Sequence, residues 1–304
     1  MFLQQIINVL VLGGMYSSLA VGFTLFFGTL NLINFAHGDA SFMLGAFIAL
    51  SAYRLCAGVT LFSNPALLIL LLFSSAMLVC AGVGYLIEKV AFKPRLRTSP
   101  FSLLITSLAV GIIIRESVFL LFPNGANPQP FPNPFQGRLY HLGSAVIGTE
   151  QICLIFLPIL LVFLLHLVIK HTELGRGMRA VCEDAEAASM VGIHVNRVLS
   201  ATFLIGSALG AAAGVMSGIN YGSIKFDMGF VAGLKGFTAA LLGGLSSIYG
   251  AIAGAYLLAF IEVMAAGYIP HGSAYRNVIT FSILIIVLAF RASGLIAVMV
   301  EEKA

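Results

Sequence analysis

His171 to Arg197, HTELGRGMRAVCEDAEAASMVGIHVNR, is the longest polar run in a chain otherwise built of apolar blocks. It carries seven of the 28 charged residues, 16 basic and 12 acidic. Within it, Met178 to Met190 offers good helix formers throughout, and Gly192 stands where a helix commonly stops. A charged helix set between membrane spans has little of its own chain to pack on. One reading is a solvated connection between two spans. The other is a docking surface, because Ala185, Ala187, Ala188 and Ser189 leave part of the helix shallow enough for another protein's groove.

Around this run the chain is 60% hydrophobic and 9% charged, against about 25% charged in soluble domains, and its mean hydropathy is +1.03. Such a composition is that of an integral membrane protein and fits neither a soluble enzyme nor a nucleic-acid binder. Tryptophan is absent, so interfacial belts rest on Tyr and Phe. Cys56, Cys80, Cys153 and Cys182 show no CxxC or metal-ligand spacing, and most lie within apolar segments and read as small core residues. The six histidines lie in unrelated places. No GxxxxGK[ST] occurs, nor any Gly-Lys pair, so a phosphate-cradling loop would have to come from another chain. No catalytic residue, metal site or cofactor is expected.

A helix needs about 17–25 apolar residues to cross a bilayer. The candidates are Ile6–Phe27, Ala40–Cys56, Pro65–Ile87, Phe101–Phe122, Ile152–Ile169 and Val198–Ile219, then a short Phe230–Leu242, Ser247–Ala266 and Val278–Phe290. No Lys or Arg precedes the first run and no cleavage site follows it, so Ile6–Phe27 is expected to remain a span and not a signal peptide. The expected fold is an all-α polytopic membrane protein of eight to nine segments forming a single domain, residues 1–304. Lys89, Lys93, Arg95 and Arg97 mark one cytoplasmic loop, and Lys170, Arg176, Arg179 and Arg197 mark another. Counting outward puts the N-terminus outside. The first half is 1–122, an external loop 123–148 carries five of the ten prolines and is expected to be extended, the cytoplasmic loop is 171–197, and the second half is 198–304. If Phe230–Leu242 crosses, Arg291 and the Glu301–Ala304 tail end in the cytoplasm; this is the preferred count.

Two polar breaks point to an inverted repeat with discontinuous helices. Leu32-Ile33-Asn34-Phe35-Ala36-His37-Gly38-Asp39 follows a glycine-bearing span in the first half. Ile224-Lys225-Phe226-Asp227-Met228-Gly229 follows Ala211–Gly218 in the second. An Asp at bilayer depth costs about 2.5–3.5 kcal/mol on insertion scales. Asp39 therefore either caps the helix beginning at Ala40 through the amide of Ser41 or Phe42, or belongs to a broken backbone that lines a central path or its gate. Glu262, alone in an apolar span, reads as a paired structural carboxylate or an interface residue, and Arg115-Glu116 as structural too.

Glu186-Ala187-Ala188-x-x-x-Gly192 resembles the EAA-type loop by which permease subunits of ABC importers dock on their ATPases. The longer ELGRGMRAVCEDAEAASMVGIHV is similar to that loop in the branched-chain amino acid permeases, the LivH/LivM type. The general importer motif continues into Ile-x-Leu-Pro, whereas this chain has Thr202-Phe203-Leu204-Ile205. The N-terminal GxxxSLxxGxTLxxGTLNLINFAHGD and the glycine-rich Gly236–Gly254, with Lys235 before it, resemble the same family. The resemblance implies a bacterial inner-membrane permease paired with a homologous permease, two ATP-binding subunits and a periplasmic substrate-binding protein. Coupling to the ATPase would fall to Glu173, Gly175, Arg179, Asp184, Glu186, Ala187, Ala188 and Gly192. The path or gate would fall to Asn34, His37, Gly38, Asp39, Asp227, Lys235 and Gly236. Family members serve branched-chain amino acids, other amino acids, urea or short amides. An ion-coupled carrier would also account for Asp39, Asp227 and Glu262, but it needs no docking helix, and a channel would need a filter-like polar segment that is not evident.

Overall fold

The computed structural model describes residues 2–31, 33–56, 64–95, 99–135, 137–143 and 145–290. Leu32, Arg97, Arg291 and the C-terminal tail invoked above lie outside them. The elements are α1 (Phe2–Leu30), a π-helical stretch (Gly38–Met43) running into α2 (Leu44–Leu55), α3 (Pro65–Ile87), α4 (Pro100–Leu121), β1 (Gln129–Pro130), β2 (Leu139–Leu142), β3 (Ala145–Gly148), α5 (Thr149–His171), α6 (Glu173–Glu183), α7 (Ala185–Met190), α8 (Val195–Tyr221), β4 (Ser223–Ile224), α9 (Met228–Gly243), α10 (Ile248–Tyr268) and α11 (Arg276–Phe290). Among the described residues six helices are long and apolar enough to cross a membrane: α1, α3 with its continuation to Arg95, α4, α5, α8 and α10. The chain is an all-α, multi-pass membrane protein. Two expected spans are short, α9 with 16 residues and α11 with 15, while α2 with its π-helical start covers the expected Ala40–Cys56 up to Leu55.

Helix starts follow local chemistry. Asn64 accepts from Ala66 N ahead of Pro65, Ser99 from Ser102 N ahead of Pro100, and Ser247 from Gly250 N, each quenching an orphan amide of the first turn. In hydrocarbon, apolar burial gives helices little reason to associate, so close packing of small residues decides. A methyl group on Gly45 would meet Ala211, one on Gly254 the carbonyl of Ala239, and one on Gly214 the backbone of Phe42. Backbones thus approach along α2 against α8 and along α9 against α10.

The contacts pair off between halves. α1 packs on α10 as α3 packs on α8; α1 meets α9 as α8 meets α2; α9 lies on α10 as α2 lies on α3. At the centre, where the two broken segments meet, Gly38 faces the backbone of Gly229 and Gly233.

The Pro-rich loop is held down, not merely extended. Its β1 pairs antiparallel with β4, β2 forms a hairpin with β3, and buried Phe131 donates its N–H to Gly222 O at 3.0 Å and packs on Gly218. Arg54, at the end of α2, adds a 2.7 Å bond to Gln129. These contacts put the ends of α2 and α8 and the Pro-rich loop at one end of the molecule, with α6 and α7 at the other.

Two expectations for the polar run need correction. Met178 to Met190 is not one helix: Asp184 adopts φ −158°, ψ 111°, and its Oδ1 accepts from Glu186 N and Ala187 N at 2.8 and 3.0 Å, starting α7 anew. The side chain competes successfully with the backbone for its own helix. Nor does the run lack an internal face. Met178, Val181, Ala188 and Val198 are buried together, with Leu174, Ile193 and Ile205 against them. Ala188 therefore lies inside the chain and not in a partner's groove. Thr172 caps α6 through Gly175 N, and Arg179 bonds to the carbonyl of Ile169 while Arg176 pairs with Glu173.

Candidate translocation path and coupling loop

The first break does not expose its polar groups. Asn34, His37 and Asp39 are buried. Asn34 Oδ1 accepts from Ala36 N at 3.1 Å, making the turn. His37 packs edge-on against Phe23 and Phe26 and shares a 3.1 Å bond with Ser41 Oγ, and any side chain at Gly22 or Gly210 would collide with its ring. Asp39 is no cap: the backbone is already helical from Ala36, no side-chain cap bond forms, and Oδ1 finds no hydrogen-bond partner among the described residues. Its carboxyl instead lies against the first turn of α9, where a methyl on Gly229 would sit 2.5 Å from Oδ1. A helix N-terminus favours an anion there, and the positive charge of Arg115 on α4 also acts on it. The role of Arg115 and Glu116 is loose pairing, 3.8 Å apart, with Arg115 over the Phe230 ring.

The second break is open. Residues of α1, the Gly38–Met43 stretch, α8, α9 and the 222–227 connection surround a cavity of about 510 Å³, lined by Met15, Tyr16, Phe42, Ser217, Tyr221, Ser223, Lys225, Asp227, Met228, Val231, Ala232 and Lys235. Asp227 and Lys225 are exposed, whereas Lys235 is 7% exposed. Behind Lys235 stands a cluster that only partly showed in the sequence. Glu262 Oε1 accepts from Lys235 Nζ at 2.7 Å and lies 3.2 Å from Arg276 Nε, while Oε2 accepts from Tyr16 OH at 2.8 Å. Glu262 is thus the paired carboxylate expected of it, but its partners Tyr16 and Arg276 carried no signal, being an aromatic on α1 and a cation just beyond a predicted span. Two cations share one carboxylate, so the cluster holds one positive charge in excess.

Of the seven expected path residues, the structure brings Asp227 and Lys235 to the cavity. Gly38 and Asp39 meet α9 from behind, Asn34 and His37 shape the turn that carries them, and Gly236 serves contact with Leu19. In the coupling loop, Glu173, Arg179, Asp184, Glu186 and Ala187 lie on the surface, Gly175 is confined by the Ile169 backbone, and Gly192 has φ +88°, a conformation that suits glycine. Sequence reasoning missed Met190 and Val191, which are 86% and 77% exposed. Their signal was available: two large apolar side chains just ahead of a helix-ending glycine in a polar loop.

The family model described as branched-chain amino acid transport system / permease component matches residues 5–288. The chain belongs to this permease family. It is 37% identical over 304 residues to the Pseudomonas aeruginosa high-affinity branched-chain amino acid transport system permease protein BraD, covering 99% of this chain and 98% of that one. It is 34% identical to the Salmonella typhimurium permease LivH of a system of the same name, over 99% of this chain and 97% of LivH. A probable LivH of Methanocaldococcus jannaschii is 28% identical over 92% of this chain and 88% of its own. The chain is therefore a transport permease component of an ABC importer and not an enzyme, and permeases of this family work in complexes with other subunits.

Proposed function

We propose that this permease carries branched-chain or closely related apolar amino acids inward across a bacterial inner membrane, driven by ATP hydrolysed on separate subunits. The observation that carries the reading is similarity over nearly the whole chain to permeases named for that cargo. Its partners would be a second, homologous permease, two ATP-binding subunits and a periplasmic binding protein, in a lipid bilayer and without nucleic acid. The paired contacts between α1–α4 and α8–α11, with α5 as the odd element, support an inverted repeat in which α2 and α9 are half-helices entering from opposite sides. The Lys and Arg placement supports external 123–148 and cytoplasmic 171–197. In this arrangement Asp227 and Lys235 face the path, and Asn34, His37, Gly38, Asp39 and Gly236 hold its gate from behind.

The coupling loop follows from its physics. Its buried cluster makes α6 and α7 a small rigid body, and exposed Met190 and Val191 beside Glu186 and Ala187 give that body an apolar patch in a polar setting. The paired substitution Met190→Glu, Val191→Glu is expected to leave the permease at its normal membrane level but to cut copurifying ATPase several-fold. ATP-dependent uptake of leucine into vesicles should fall with it. Retention of ATPase and uptake by this variant would remove the coupling assignment, and leucine uptake by the permease alone would favour an ion-coupled carrier.

A further inference from the structure

We infer that the cavity between α1, α8 and α9 is a binding site for an apolar α-amino acid, its carboxylate seated on Lys235. This inference deepens the transport reading above and rests on it.

Lys235 and Arg276 share the single carboxylate of Glu262, whose oxygens are already occupied by Lys235 and Tyr16 at 2.7 and 2.8 Å. One positive charge is left over, and of the two cations it is Lys235, 7% exposed, that stands at the cavity wall. A surplus charge in such a setting is costly unless partnered, and a second carboxylate is the group that would complete the cluster. A lysine ammonium has three donors, and Glu262 takes one of those of Lys235, so others remain for a ligand.

The rest of the lining sorts by chemistry. Met15, Phe42, Met228, Val231 and Ala232 form an apolar wall, and Asp227 offers one exposed anion at the start of α9. Asp227, just ahead of α9, and Lys235, about two turns into it, both line the cavity. An α-amino acid seated by its carboxylate on Lys235 turns its ammonium toward Asp227 and lays its side chain on the apolar wall. A volume of about 510 Å³ accommodates such a molecule with water. A neutral amide such as urea would leave both the excess charge and the apolar wall unused.

The test uses the permease in its complete importer, reconstituted in vesicles, with its four cysteines replaced by serine and Val231→Cys as a near-isosteric reporter on the wall. The rate of alkylation of that cysteine by a small maleimide is measured alone, with L-leucine and with 3-methylbutylamine, which keeps the apolar chain and ammonium but lacks the carboxylate. L-Leucine is expected to slow alkylation several-fold and the amine to leave it unchanged. Lys235→Met should abolish the protection by leucine; because that variant can fail to assemble, the comparison of ligands on intact Lys235 decides independently. In an importer that takes up leucine, equal alkylation with and without leucine, or equal protection by the amine, overturns the site. An importer that takes up no amino acid overturns instead the transport reading beneath it.

Discussion

The break at Asn34–Asp39 and the break at 222–228 are built to opposite ends. At Asn34–Asp39 every polar group is buried, the turn is closed by Asn34 on Ala36 N, and the helix that follows is wedged against Gly229 and Gly233 with no room for a side chain. At 222–228 the chain makes a left-handed turn at Gly222, with open space around it, and then exposes Lys225 and Asp227 to a cavity. The same backbone device thus serves as a packing junction in one half and as the wall of an open site in the other. The side chains that cover a break decide whether water or protein satisfies its backbone.

The largest effect expected on this comparison comes from the side that holds the ion cluster. Glu262→Ala leaves Lys235 and Arg276 facing each other with no anion, and breaking a buried pair in this way costs about 3–5 kcal/mol. Membrane level and thermal midpoint should both drop sharply. Replacing Lys235 and Glu262 together by methionine should recover much of the loss, since the pair is then removed whole. A wild-type midpoint for Glu262→Ala would mean that the cluster is ornamental and the two breaks less different than they look.

Next in size is Gly38→Val. The added side chain meets backbone atoms of Gly229 and Gly233, which cannot rotate aside, and overpacking of this kind costs about 1–3 kcal/mol. Lower permease abundance with partners present is the expected result. Normal abundance and normal uptake would show that the junction yields, and that the first break is as open as the second.

Much of this architecture was legible in the sequence, because apolar runs of spanning length and two Asp-bearing interruptions are local signals. The run at Pro65–Ile87 coincides with α3, and Val198–Ile219 lies inside α8. What was not legible was which break is covered. The burial of His37 depends on Phe23, Phe26, Gly22 and Gly210, which come from two other stretches of chain. The Glu262 cluster joins residues 16, 235, 262 and 276, a set that no spacing rule relates. The polar run failed differently. Good helix formers favoured one helix from Met178, but a single Asp184 carboxylate bonding two amides ahead of it outweighed propensities of a few tenths of a kcal/mol each. Its internal core escaped notice because the apolar residues of α6 and α7 meet Val198 and Ile205 of α8 only after the chain turns.

The smallest effect bears on the second break. Gly222 has φ +66° and closes α8, with its carbonyl accepting from Phe131 N. A methyl group there meets nothing within 4 Å, so Gly222→Ala adds no clash of the kind Gly38 would suffer. It adds only the strain of a left-handed L-residue, about 1–2 kcal/mol. The expected result is a modest fall in thermal midpoint at nearly normal membrane level, with the Pro-rich loop still docked. Parallel measurement of Gly38→Ala makes the contrast quantitative, because the same one-carbon addition then tests a packed and an open position. If Gly222→Ala proves as damaging as Gly38→Ala, its turn is part of a packed junction as well, and the distinction between a closed and an open break does not hold.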